Sequence, residues 1–177
     1  MPYAAGWSTN LPSQNLAAAY AAGDKRKAVT VLDIEAYKTA NPSFNITYQV
    51  APYKNTGLYN QKYLPRKGET SGQVELNYLN NFRTIRYADV LLMLAEAQGN
   101  SAASLALINQ TRARAGLPAL TTAAVNTDAI FANELATERR LEFAFENIRW
   151  FDMLRYKTTL PTLDPVTTIK NNFKIGR

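Results

Sequence analysis

Three long runs of helix-forming residues, IRYADVLLMLAEAQGN, SAASLALINQTRARAGLP and the stretch from Asp128 to Tyr156, constrain the fold of this chain more than any other feature. Ser101 is a suitable N-cap for the second run, Gly116 closes it and Pro118 prevents its continuation, while Asp128 is placed to cap the third. Asn100 leaves so short an elbow between the first two runs that they must fold back as an antiparallel hairpin. Small residues at Ala95, Ala97, Ala102, Ala103 and Ala106 would let the two helices approach closely near the turn. The pair spans about the 34 residues of a tetratricopeptide repeat, although no second copy recurs at that period. The expected class is mainly α: a tetratricopeptide-like hairpin followed by a long third helix.

Residues 1–84 differ in texture, with most of the prolines and many Tyr and Asn. PSQNLAAAYAAGD predicts one short helix, with Ser13 as its N-cap and Gly23 as its stop. FNITYQV at 44–50 alternates like a strand and GLYNQKYL at 57–64 is its expected partner, with Pro52 limiting the pairing to a short hairpin at most. Val31 to Tyr37 has weak helical character. With 177 residues, 46% of them hydrophobic, the whole reads as a single domain over 1–177: a loop-rich, candidate ligand-facing part at 1–84 and a helical core at 85–160.

The chain has no cysteine and no histidine, which removes disulfides, thiolate and imidazole metal ligands, cysteine nucleophiles and histidine-dependent triads. No cofactor or metal is implied. No segment approaches the ~20 apolar residues of a membrane-spanning helix, and MPYAAGWSTN lacks the character of a signal peptide. The formal charge of +6 is spread along the sequence and interleaved with acids, so nucleic acid is not an expected partner.

The first long helix is apolar nearly all round, and its charges Arg86, Asp89 and Glu96 share one face, so it should be largely buried. Arg86 can pair with Asp89, and Glu96 needs a cation from another helix, with Arg112 and Arg114 nearest in sequence. Asp89 and Glu96 stand ~10 Å apart along a helix axis, too far and too close to arginines for an acid and base pair; a structural ion pair explains them better. In the third helix Leu135, Leu141, Phe145, Ile148, Phe151 and Leu154 form the expected core stripe, widened by Phe143 and Trp150. Glu138, Glu142 and Glu146 form a column interleaved with Arg139, Arg149 and Asp152, giving expected pairs Arg139–Glu142, Glu146–Arg149 and Arg149–Asp152.

IRYADVLLMLAEA, INQTRARAGLP and ERRLEFAFENIRWFDMLRY, in that order, resemble the signature of the SusD/RagB family. The resemblance extends to LPSQNLAAAYAAGDKRKAVTV, with Asp24 and Arg26 as an Asp-x-Arg element, and to NTGLYNQKYL, with Lys62 and Tyr63 as a Lys-Tyr element. It implies a mostly helical, tetratricopeptide-like protein with no catalytic activity. The family places it as a lipoprotein on the outer membrane of Bacteroidetes, partnered with a SusC-like TonB-dependent transporter to which it passes polysaccharide or oligosaccharide. Peptide or protein capture of the RagB type is the alternative, and a glycosidase a more distant one. The resemblance further implies a carboxy-terminal portion of a longer protein, whose lipid anchor lies upstream and whose closing segment lies beyond Arg177.

Sugar recognition combines aromatic faces with planar hydrogen-bonding groups. The best candidates are Trp7 with Asn10, and Tyr53, Tyr59 and Tyr63 with Asn55 and Asn60. Packing of these tyrosine rings on the core is the competing explanation.

Overall fold

A computed structural model describes residues 10–48, 56–63 and 81–172. The chain divides into two compact units, Met1–Phe82 and Arg83–Arg177. Residues 49–50 of the expected strand 44–50 and the candidates Trp7, Tyr53 and Asn55 lie outside the described residues.

In the first unit the Ser13 hydroxyl accepts a hydrogen bond from Leu16 N at 3.1 Å and caps α1 (Gln14–Ala19). The helix ends earlier than its alanine content predicts. Tyr20 turns extended to bury its ring, and Gly23, at φ +82°, makes the reversal into the next element. Asp24 then caps α2 (Lys25–Thr30), accepting from Arg26 N at 2.9 Å, and the same carboxylate holds the Arg26 guanidinium at 2.8–3.3 Å. The Asp-x-Arg element is therefore a helix cap and a buried ion pair in one.

Val31–Asp33 is a strand, β1, and only from Ile34 does the chain become helical, as α3 (Ile34–Ala40). Asp33 makes that switch, its carboxylate accepting from Ala36 N at 3.0 Å. β1 pairs antiparallel with β2 (Leu58–Asn60), Leu32 opposite Tyr59. This corrects the expected pairing of 57–64 with 44–50: Pro42–Phe44 is a 3₁₀ turn, and Asn45 is left-handed at φ 45°. Leu32, Ile34 and Ile46 form a small core on which Tyr37, Phe44, Tyr48 and Tyr59 pack.

The second unit is helical: α4 (Tyr87–Gln98), α5 (Ala102–Ala115), α6 (Asp128–Glu142), α7 (Arg149–Tyr156) and α8 (Pro165–Asn172). The α4–α5 hairpin forms as expected, with Ser101 accepting from Ser104 N and Gly116, at φ +80°, letting Leu117 N reach Arg112 O at 2.9 Å. Ala95 packs with Leu92, Leu105 and Ile108, whereas Ala97, Ala102, Ala103 and Ala106 are exposed. Val125, Phe131, Leu135 and Phe143 from α6 and its flanks complete this core.

Two expectations fail here. Thr127, not Asp128, is the N-cap of α6, accepting from Ile130 N at 3.2 Å. The long third helix is also divided. It stops at Glu142, and the chain runs through left-handed Phe145 (φ 66°) and Asn147 (φ 60°) before α7 begins at Arg149. The break takes Phe151, Leu154 and Trp150 off the predicted core stripe and leaves them exposed, while Phe145 and Ile148 are only partly buried.

Candidate functional site

The charged residues singled out from the sequence meet inside the second unit, with other partners than their spacing predicts. Arg86 does not pair with Asp89. Its guanidinium donates to Glu142 Oε1 at 2.6 Å, to the Glu142 carbonyl at 2.8 Å and to Glu146 at 2.7 and 3.0 Å. Arg114 also reaches Glu142, and Arg112 Nη1 stands 3.5 Å from Glu138, which the Thr111 hydroxyl meets at 2.9 Å.

Arg139 pairs neither with Glu142 nor within its own helix. It donates to Asp89 on α4 at 2.9 Å and to Asp152 on α7 at 3.0 and 3.1 Å. Arg155, not Arg112 or Arg114, supplies the cation for Glu96 at 3.1 Å, and it donates to Asp152 at 2.8 Å. Arg149 pairs with neither Glu146 nor Asp152, and its buried Nη1 makes no hydrogen bond among the described residues. The guanidiniums of Arg86 and Arg139 lie 4.6 and 5.2 Å from the centroid of the Phe143 ring, so both cations also meet its π face.

The break between α6 and α7 makes this network geometrically available. Thirteen residues of unbroken helix would separate Arg139 from Asp152 by ~20 Å, yet their atoms touch.

Burial acts on the ionisation of these groups. It pushes the Asp152 carboxyl up, against the pull of Arg139 and Arg155. It would lower Arg139, but Asp152 and Asp89 outweigh it and hold that guanidinium above its ordinary value. Burial acts likewise on Arg86, and Glu146 and Glu142 reverse it. Arg149 is lowered by burial and then by Arg140. The Tyr156 phenol is pushed well up by burial and by the Glu96 carboxylate. Asp89, Glu96, Glu138, Glu142, Glu146 and Asp152 each have a guanidinium within ion-pair distance.

The loop candidates fall into different surroundings. Tyr59 belongs to the small core, edge-on to Tyr48 with centroids 6.3 Å apart, and its hydroxyl is buried. Asn60 turns its carbonyl back to accept from Lys62 N at 3.0 Å, and Asn10 is exposed. Tyr63 stacks on Phe82, centroids 5.6 Å apart and planes 30° apart, and Phe82 keeps 51% of its surface exposed. The sequence reading missed Phe82. Its ring lies 19 positions from Tyr63, and no local pattern joins them. Among the described residues no group of His, Cys, Asp and Glu side chains could hold a metal ion, and no helix is long and apolar enough to cross a membrane.

The second unit is a helical scaffold locked by internal ion pairs, and the first carries an accessible ring pair in its irregular segments. The SusD family model matches residues 32–174, and the chain belongs to that family. Over 170 residues it is 29% identical to SusD-like protein P2 of Formosa agariphila, covering 88% of this chain and 32% of that one. The chain therefore spans about a third of the length of that relative.

Among solved structures it is similar to surface glycan-binding protein A from Bacteroides fluxus, with 27% identity and a TM-score of 0.70 over 92% of this chain and 33% of that one. It is also similar to surface glycan-binding protein A from Bacteroides uniformis, with 30% identity and a TM-score of 0.64 over 82% of this chain and 29% of that one. The expected family and the expected mainly helical class are both found.

Proposed function

We propose that this chain supplies part of a non-catalytic glycan-binding surface. The whole protein, in this reading, is lipid-anchored at the outer membrane and passes oligosaccharide or polysaccharide to a SusC-like TonB-dependent transporter. The observation that carries the proposal is the likeness to two solved surface glycan-binding proteins at 27% and 30% identity. Ring geometry adds a physical route: the free face of Phe82, backed by Tyr63, offers an apolar plane to the C–H face of a pyranose. Asn10, and Trp7, Tyr53 and Asn55 outside the described residues, remain proposed contacts. Tyr59, anchored in a core, contributes by shaping the segment that ends at Tyr63.

Affinity electrophoresis through gels containing soluble polysaccharides tests the reading. The parent chain should be retarded by at least one glycan. Phe82→Ala should weaken that retardation about tenfold, equivalent to about 1.4 kcal/mol, and Trp7→Ala should also reduce it. Absence of retardation by every glycan, with binding to peptides instead, would point to a peptide-binding protein. Sugar release that vanishes in Glu96→Gln would overturn the non-catalytic assignment.

A further inference from the structure

The stacked rings of Tyr63 and Phe82 belong to stretches of chain with an uneven charge balance. Residues 36–68 contain Lys38, Lys54, Lys62, Arg66 and Lys67 and no Asp or Glu, and residues 76–88 contain Arg83 and Arg86 and again no acid. Elsewhere carboxylates are plentiful but engaged. Asp24 holds Arg26, and acids of the second unit meet Arg86, Arg112, Arg139 and Arg155. The formal surplus of +6 therefore falls on the side chains that remain, where lysines and arginines outnumber acids. Two of these cations adjoin the rings covalently: Lys62 precedes Tyr63, and Arg83 follows Phe82. Arg86 is taken up by Glu142 and Glu146, whereas Arg83 is exposed and forms no ion pair among the described residues.

We propose that the glycan received by Phe82 is an acidic one, its pyranose stacked on the ring and the oxygens of its carboxylate or sulfate held by Arg83, with Lys62 adding positive charge on the Tyr63 side. The inference rests on the functional reading above, which gives the exposed face of Phe82 to a sugar. An exposed aromatic face followed by an exposed guanidinium is a receptor with two parts. The face takes the C–H side of a pyranose, and the planar fork takes two oxygens of an anionic group on the sugar. A neutral sugar engages only the first part. Net charge alone does not produce this selectivity, because at physiological salt exposed charges more than about 8 Å apart are largely screened from one another. The cations that count are those next to the ring, and Arg83 is joined to Phe82 by a single peptide bond.

Isothermal titration calorimetry of the chain in about 0.15 M salt tests the proposal. Polygalacturonate and alginate serve as carboxylate probes, carrageenan and dextran sulfate as sulfate probes, laminarin and starch as neutral glycans, and polyglutamate as a polyanion without sugar. At least one acidic glycan is expected to bind about tenfold or more tightly than either neutral glycan and than polyglutamate, and the arm that responds distinguishes carboxylate from sulfate. Arg83→Gln should weaken that binding about tenfold, Phe82→Ala should weaken it too, and Arg83→Lys, which keeps the charge but loses the fork, should fall between Arg83→Gln and the parent. Lys157→Gln and Lys170→Gln remove the same charge from exposed lysines near Asp164 and should change binding less than about twofold. Circular dichroism establishes that each variant is folded. Equal or tighter binding of a neutral glycan overturns the inference and leaves the functional reading standing, whereas failure of every glycan to bind overturns both. Equal binding of polyglutamate, or equal weakening by Arg83→Gln, Lys157→Gln and Lys170→Gln, assigns the attraction to diffuse charge and overturns the inference as well.

Discussion

Replacing Arg139 by methionine removes the cation that joins three helices while keeping most of the apolar stem. In the parent, Arg139 donates to Asp89 at 2.9 Å and to Asp152 at 3.0 and 3.1 Å, and its own side chain is nearly inaccessible. Asp152 would retain Arg155, but Asp89 would lose the one hydrogen-bonding cation shown for it. Breaking a buried pair from one side typically costs about 3–5 kcal/mol, because the remaining charge is desolvated without compensation. Against a domain stability of about 5–15 kcal/mol, that is a large fraction.

Urea unfolding followed by circular dichroism measures the loss. Removing all three charges together, in Asp89→Leu/Arg139→Met/Asp152→Leu, should recover most of it, because no buried charge is then left alone and half-exposed Arg155 can turn to water. Mild acid should also narrow the gap between Arg139→Met and the parent. An orphaned buried carboxyl has a folded-state pKa above its unfolded value, so its stability contribution is fully present below the unfolded pKa and is lost as pH rises through the folded one. A loss below about 1 kcal/mol, the range of an exposed pair, or a gap that widens in acid, would refute the assignment of Arg139 as the buried keystone.

Tyr156→Phe should flatten the alkaline limb of the stability profile. Because burial raises the folded-state phenol above its ordinary value of 10.0, the parent loses up to about 1.4 kcal/mol per pH unit above that point, and the variant does not, which urea midpoints across pH 9–11 would reveal. Thr127→Val should cost about 1 kcal/mol through loss of the α6 cap, whereas Asp128→Ala should cost less in the same assay, since Asp128 contributes only through the helix dipole. Asn147→Gly should be neutral or stabilising by thermal melt, because the left-handed φ of 60° suits glycine, and Asn147→Ala should lower the melting temperature.

Helix existence was legible where the signals are local. Ser101 and Gly116 bracket α5 by hydrogen bonds a few residues long, and sequence records such bonds directly. Charge pairing was not legible by the same means. Spacing of three joined Arg86 to Asp89 and Glu146 to Arg149 on paper, but side chains directed into the unit reach carboxylates on other helices, up to 60 positions away. The apolar circumference of α4 predicts burial on all sides, whereas Tyr87, Val90, Met93 and Leu94 are exposed. Periodicity gives the number of apolar faces and not the neighbours that cover them. In the first unit the partner of β2 is not legible locally, because Val31–Asp33 has no alternating pattern and becomes a strand only by pairing with Leu58–Asn60. The Tyr63–Phe82 stack was invisible for the same non-local reason.

The division of α6 from α7 sets local preference against the completed fold. Local helix propensity within ERRLEFAFENIRWFDMLRY favours one continuous helix, whereas the left-handed step at Phe145 and Asn147 is rewarded by tertiary contacts, Arg139 with Asp152 and Arg86 with Glu146. A peptide covering 128–156 should therefore span the step as an uninterrupted helix when alone and break it only in the company of the rest of the second unit. That conflict makes the segment a sensor of its own assembly: the chain acquires its corner only after its partners have arrived.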